Sequence, residues 1–220
     1  MRKKIVVWLL LSFLLASNAM LPFDFPSVDA SGTIYIRADG SIEPPTADIT
    51  RDEFNVTYTF NGSNYETIVI ERDNIILDGA SFTLQVGSAD GIILDHRRNV
   101  TVKNLNIDAG ASSYGIKLYY SSNITIFNCN IYLSGTGISV DHSSYNEIYR
   151  NRIERNGIGI GVTGAEYAHH NLIHNNTIAS NDSDGISLCD SRNSVYWNNI
   201  TDCGEGIQLL VIFTKFMKTT

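Results

Sequence analysis

Two aspartates, Asp95 and Asp141, follow the same strand-like pattern 46 residues apart, and each is followed by a histidine, His96 and His142. Carboxylates separated by about 6.5 to 9.5 Å suit inverting glycoside hydrolysis, one serving as acid and the other activating water. Asp95, Lys117, Tyr119 and Asp141 also form a set that contacts a glycan well, through hydrogen bonds to hydroxyls and a tyrosine ring against a sugar face. A third cluster, His169, His170 and His174, carries metal-chelating side chains, but it straddles a corner and a strand, where an i,i+4 spacing is not a shared helical face. No metal site and no cofactor are therefore expected.

Positioning these residues is the work of a repeat. Glycine, isoleucine, any residue and an aliphatic recur six times, at Gly91, Gly115, Gly137, Gly159, Gly185 and Gly206, with intervals of 24, 22, 22, 26 and 21 residues. A second column keeps the same period, with Val102/Ile107, Ile126/Ile131, Ile148/Ile153, Ile173/Ile178 and Val195/Ile200 each five residues apart. The alternation sends Ile92 and Leu94 to one face and Ile93 and Asp95 to the other, a strand period that excludes helical solenoids. The spaced leucine framework of a leucine-rich repeat is missing, and β-branched positions imply several short strands per turn. The expected fold is all-β: a right-handed parallel β-helix of about six coils, with stacking at about 4.8 Å supplying the ladder hydrogen bonds and the core.

Alternation then places Ile93, Lys117, Ser139, Gly161, Ser187 and Gln208 in one outward column, and Asp95, Tyr119, Asp141, Thr163, Cys189 and Leu210 in the next. Asn146, Asn171 and Asn193, and likewise Asn151, Asn176 and Asn198, repeat at intervals of 25 and 22 residues. These are expected to be structural ladders at corners, where asparagine also tolerates left-handed backbone.

Four segments follow. Residues 1–30 pair Arg2, Lys3 and Lys4 with an apolar run from Ile5 to Leu15, the pattern of an export signal, with small residues for cleavage after Ala19 or Ala30. If retained, this segment is a membrane anchor, and the membrane is a partner only then. Residues 31–72 lack the period and are expected to cap the open end of the first coil, residues 73–210 form the β-helix, and residues 211–220 abandon the pattern, as in a truncated or frame-shifted chain or, alternatively, a short amphipathic capping segment. The net charge of −7 argues against nucleic acid as a partner. The three cysteines lack the paired spacing of a zinc site or disulfide scaffold. A Cys189–Cys203 bridge is one option, and Cys129 reads as a small buried hydrophobe. Export would make the sequons at Asn55, Asn61, Asn99, Asn123, Asn175, Asn181 and Asn199 candidate glycan acceptors.

From Asn74 to Leu210 the chain resembles the right-handed β-helix repeats of the NosD-like and carbohydrate-binding/sugar-hydrolase family. The likeness is clearest in Gly185-Ile-Ser-Leu with Asn193-Ser-Val-Tyr-Trp-Asn-Asn-Ile, and in Gly137-Ile-Ser-Val with Asn146-Glu-Ile-Tyr-Arg-Asn-Arg-Ile. The group includes enzymes, binding modules and a factor for copper-site maturation, so its functional content is broad. Asn181-Asp-Ser-Asp-Gly resembles the Asn-x-Asp-Gly stretch of polygalacturonase-like enzymes and implies a catalytic role for Asp184, but the Asp pair, Gly-His-Gly and Arg-x-Lys of that family are absent, and Asp184 is counted among the substrate-binding candidates. Val140-Asp-His resembles the Asp-Pro-His signature of alginate epimerases and lyases without its proline. That likeness implies His142 as acid/base, with Tyr119 or Tyr120 as partner. The expected protein is an extracytoplasmic, secreted or cell-surface β-helix that binds or displays carbohydrate, its partner a polysaccharide or cell-surface glycan. The alternatives are a polysaccharide lyase or glycoside hydrolase and a metal-site maturation factor.

Overall fold

Short aliphatic strands joined by tight corners wind residues 33–209 into a right-handed parallel β-helix of about seven turns in the computed structural model, which describes residues 32–54, 56–189 and 192–210. The expectations for residues 1–30, for residues 211–220 and for the Asn55 sequon lie outside the described residues. Three sheets form the walls. The first holds the Gly-Ile-x-Leu strands: Ile92–Asp95, Tyr114–Tyr119, Thr136–Asp141, Ile158–Thr163, Asp184–Leu188 and Glu205–Leu209 stack in parallel. The two aliphatics five residues apart fall on the second and third sheets, as in Glu147–Tyr149 and Arg152–Glu154. The only helix among the described residues is a single 3-10 turn, Ala165–Tyr167, and no helix there is long and apolar enough to cross a membrane.

Part of the segment read as a cap belongs to the stack. Thr33–Ile36 pairs in parallel with Thr67–Ile70, which pairs in turn with Ile92–Asp95, so about seven turns replace the expected six. Thr67 stands where later coils have glycine, which hid the turn. Covering falls to two antiparallel strands, Ile42–Glu43 against Thr33–Ile36 and Ile49–Arg51 against Thr57–Phe60, which occupy sheet edges that would otherwise template further pairing. At the other end, Ile207 and Leu209 are half exposed, whereas their register partners Ile186 and Leu188 are buried, because among the described residues no strand lies beyond them.

Inward columns such as Ile92, Ile116, Ile138, Ile160 and Ile186 are buried and form one continuous core. The glycine before each isoleucine has a steric cause wherever another coil follows, while at Gly206 in the last described coil a Cβ would meet nothing. A Cβ at Gly137 would lie 2.7 Å from the Gly159 carbonyl oxygen, and one at Gly185 would lie 2.6 Å from that of Gly206, so a side chain would force the coils apart.

Corners are built from two adjacent residues with different tasks. The first is left-handed and outward, as at Tyr145, Arg150, Asn175 and Trp197; the second turns its polar side chain inward. The ladder asparagines are these second residues, and none of them has positive φ. Left-handed tolerance therefore belongs to their neighbours, which corrects the expectation that one asparagine does both jobs. Asn176 Oδ1 accepts from the Asn151 backbone N–H (3.0 Å) and from Asn151 Nδ2 (3.0 Å), while Asn176 Nδ2 donates to the Ile148 carbonyl (2.9 Å) and to Asn198 Oδ1 (2.9 Å). A third ladder runs through Ser134, Asn156, Asn181 and Cys203.

Cys129 stands in the asparagine column, its N–H donating to Asn151 Oδ1 at 3.0 Å, and full burial pushes its thiol up to about 12. All three cysteines are free, so the Cys189–Cys203 option is not realised; Cys203 turns inward to Asn181. Asn181 is buried, with Oδ1 accepting from the Asn156 N–H at 2.9 Å, which removes it as a glycan acceptor. The acceptors at Asn61, Asn99, Asn123, Asn175 and Asn199 are exposed.

Removing a ladder amide leaves buried partners unpaired. Asn176→Ala is expected to lower stability by about 1 to 3 kcal/mol in urea denaturation, and an unchanged midpoint would refute the ladder.

Candidate functional site

Alternation along the first sheet turns every second side chain outward, and the parallel register aligns those side chains into columns. Tyr119 pairs with Asp95 on one side and with Asp141 on the other, and Lys117 lies between Ile93 and Ser139. Asp141 is followed in its column by Thr163. The two carboxylates are thus two strands apart, about 9 to 10 Å between backbones at about 4.8 Å per strand.

Small residues at Ser139, Gly161 and Ser187, between taller walls of Tyr114, Tyr119 and Ile158, leave a groove of about 420 Å³. Asp95, Lys117, Tyr119, Asp141 and Thr163 line it, so the outward set expected to meet a ligand does share one cavity. Lys117 Nζ lies 3.9 Å from Asp90 Oδ2 and 4.9 Å from the centroid of the Tyr114 ring. Asp90 is fixed in turn by the Tyr114 N–H, which donates to its Oδ1 at 3.0 Å.

Beside the groove runs a corner column of rings. His96 stacks on Tyr120 (5.1 Å between centroids), Tyr120 on His142 (4.8 Å) and His142 on Tyr167 (5.7 Å). His96, Tyr120 and His142 all have left-handed backbone, φ 54°, 46° and 49°, the turn that carries the chain out of the sheet. Each histidine is tied to the aspartate before it: His96 Nδ1 to Asp95 Oδ1 at 2.6 Å, and His142 Nδ1 to Asp141 Oδ1 at 2.7 Å. In the neutral ring that donates through Nδ1, Nε2 remains an acceptor. The two pairs differ in surroundings. Thr163 Oγ1 donates to Asp141 Oδ1 at 3.1 Å, and the Asp141 and His142 side chains are 29% and 30% exposed, against 57% and 65% for Asp95 and His96. Gly164 makes this closeness feasible, since a Cβ there would lie 2.8 Å from His142 Nδ1. Partial desolvation, with Tyr119 beside it and the Asp141 charge nearby, raises the Tyr120 phenol above the ordinary tyrosine range and keeps it a proton donor.

Four expected residues fall elsewhere. Asp184 is buried at the start of its strand, in register with Glu205, and takes a 3.4 Å bond from Ser183 Oγ; it does not line the groove. His169 and His170 sit at a corner with their Nδ1 atoms 2.8 Å apart. His174 projects from the second sheet, sandwiched between Tyr149 (5.2 Å) and Tyr196 (4.8 Å) and bonded to Glu147 Oε1 at 3.0 Å. Among the described residues, no group of three or more His, Cys, Asp or Glu is placed to hold a metal ion.

Thr163, Gly164, Tyr167 and Tyr114 were not picked out from the sequence as site residues. For Thr163, Gly164 and Tyr167 the signal lay in the interval from Gly159 to Gly185, which at 26 residues is the longest of the repeat and includes the 3-10 turn that carries Tyr167; Tyr114 lies outside that interval, at the start of its own strand.

A family profile described as a right handed beta helix region matches residues 90–212. Among solved structures, the mannuronan C-5 epimerase AlgE4 A-module of Azotobacter vinelandii is similar at 18% identity and a TM-score of 0.38, over 70% of this chain and 52% of that one. The chain spans about half the length of that module. No curated protein matches it.

Cys189 follows Leu188, the register partner of Val162, and is half-buried, its thiol raised by burial and by the Asp141 charge. A thiol reagent is expected to modify Cys189 and Cys203 slowly in the folded protein and Cys129 only on unfolding, as peptide mapping would show.

Proposed function

The chain belongs to the right-handed β-helix family, and from the groove on its first sheet we propose that it binds an extended carbohydrate outside the cytoplasm. One observation carries the reading: a groove crossing several coils combines tyrosine rings with hydroxyl, carboxylate and ammonium groups. Sugars present both apolar ring faces and hydroxyls, and a mixed surface of this kind answers both. A parallel stack also offers a linear polymer the same kind of contact at each coil. The export pattern of residues 1–30 supports an extracytoplasmic setting, where such polymers occur.

A second reading, a lyase or hydrolase, is favoured by the Asp141–His142 pair. His142 is anchored to Asp141 through Nδ1, and the tautomer that donates there presents Nε2 as a base; Tyr120 is a neighbour 4.8 Å away between ring centroids. Asp95 and Asp141 also stand two strands apart on one wall of the groove, a placement compatible with an acid and a water-activating base once the carboxyl groups lie about 6.5 to 9.5 Å apart. Metal-site maturation draws no comparable support, because His169, His170 and His174 do not converge.

Affinity electrophoresis in gels containing soluble polysaccharides tests the first reading. The wild-type chain should be retarded, Tyr119→Ala should lose about tenfold in affinity, and Thr177→Ala on the third sheet should bind normally. Normal retardation of Tyr119→Ala would remove the groove as the binding site. Release of saccharide products that stops in Asp141→Asn, with the melting curve retained, would establish the enzymatic reading.

A further inference from the structure

The groove's charge names a class of sugar. Two carboxylates, Asp95 and Asp141, flank the Tyr119 ring on adjacent strands, so the column reads carboxylate, ring, carboxylate. In Asp141, the bonds from His142 and Thr163 both fall on Oδ1, and in Asp95 the bond to His96 falls on Oδ1 as well, so neither set of bonds uses Oδ2. A neutral imidazole donating through Nδ1 orients its carboxylate without cancelling the charge. The one lysine lining the groove, Lys117, is already matched to Asp90 and Tyr114. That contact shows how this surface treats an ammonium group: one carboxylate and one tyrosine ring hold it. The Asp95–Tyr119–Asp141 column repeats those ingredients with a second carboxylate, and among the described residues no lysine or arginine side chain is paired with either carboxylate, whose partners are His96, His142 and Thr163.

We propose that this column recognises the protonated amino group of an amino-sugar polysaccharide, with Tyr119 giving a cation–π contact and Asp95 and Asp141 giving charge-assisted hydrogen bonds. The inference rests on the carbohydrate reading and narrows it. A polyuronate would bring its carboxylates against Asp95 and Asp141 with only a matched lysine to receive them, a like-charge arrangement that disfavours binding. The acidic net charge of −7 adds long-range attraction for a cationic polymer, which salt screens.

Calorimetric titration of the full chain tests this with three probes of equal length: a glucosamine oligosaccharide at a pH where its amines are charged, its fully N-acetylated counterpart, and an oligogalacturonate. The glucosamine oligomer should bind about tenfold or more tightly than the N-acetylated one. That advantage should shrink as salt rises and fall away in Asp141→Asn, and in the more exposed Asp95→Asn should Asp141→Asn melt early. Lys117→Met should strengthen binding of the charged oligomer several-fold, a gain that a merely structural role for Lys117 does not produce. Equal binding of the charged and N-acetylated oligomers, or a preference for oligogalacturonate, would overturn the amino-sugar inference and leave the carbohydrate reading standing. Binding of none of the three would overturn both.

Discussion

Inter-coil registration by buried side chains at the corners is the constraint on which the rest of this molecule depends. A parallel sheet keeps its ladder only while the strands run straight, and at each corner the backbone N–H groups must find another acceptor or be buried unpaired. Here a left-handed residue turns the chain, and the next residue sends an amide, hydroxyl or thiol inward. Asn146 receives the N–H of Ile124, Asn171 that of Asn146, and Asn193 that of Asn171, so each coil completes the corner of the one before. Ser121 and Ser143 do the same beside the groove, receiving the N–H groups of Arg97 and Ser121. Because the amides also bond to one another, a slip of one coil would break several buried bonds together, which fixes the register more firmly than the interchangeable aliphatic columns could alone.

Register then determines what kind of site is available. Equivalent side chains recur at about 4.8 Å, so any site is a column or a pair of columns, and its character lies in how residues vary along it. Ile93, Lys117, Ser139, Gly161 and Ser187 pass from bulky to small, which opens depth in the wall; Asp95, Tyr119, Asp141 and Thr163 bring charge and a ring to its edge. The corner beside them holds His96, Tyr120 and His142 in left-handed backbone, where bulky residues are costly, and the ring stack together with the two Asp–His bonds offsets that cost.

The repeat made the fold legible from sequence. Glycine and isoleucine columns with one shared period left few alternatives, and alternation within Gly-Ile-x-Leu correctly placed the outward residues that share the groove. Two kinds of information were hidden. Thr67 in place of a column glycine concealed the early turn, because the strand needs only its alternation while the glycine reflects crowding by the next coil. The division of each corner into a left-handed residue and an inward one was also hidden, since asparagine suits both positions. At Asn175-Asn176 it fills both, while at Tyr145-Asn146 and Arg150-Asn151 unrelated residues take the first. Asp184 misled for a related reason: an aspartate before a coil glycine meets the demands of a turn whether or not it faces a ligand.

A repeating scaffold must break its own symmetry to make a unique site, and here the longest described coil, the 26 residues from Gly159 to Gly185, breaks it. Both Asp–His pairs begin as equivalents, with the same spacing from the strand, the same left-handed histidine and the same short bond. The longer coil that follows Gly159 supplies Thr163 to the Asp141 carboxylate, Gly164 to the space beside His142 and Tyr167 to its ring face. Asp95 and His96 receive none of these and remain more open to water. A carboxylate screened by solvent and one partly withdrawn from it interact with a bound charge to different degrees, because the effective dielectric falls with burial. Two chemically identical pairs thereby come to stand in unequal surroundings, Asp141 partly withdrawn from water and Asp95 open to it. Such a division between two carboxylates is what either directional recognition of a polymer or a split of acid and base roles requires.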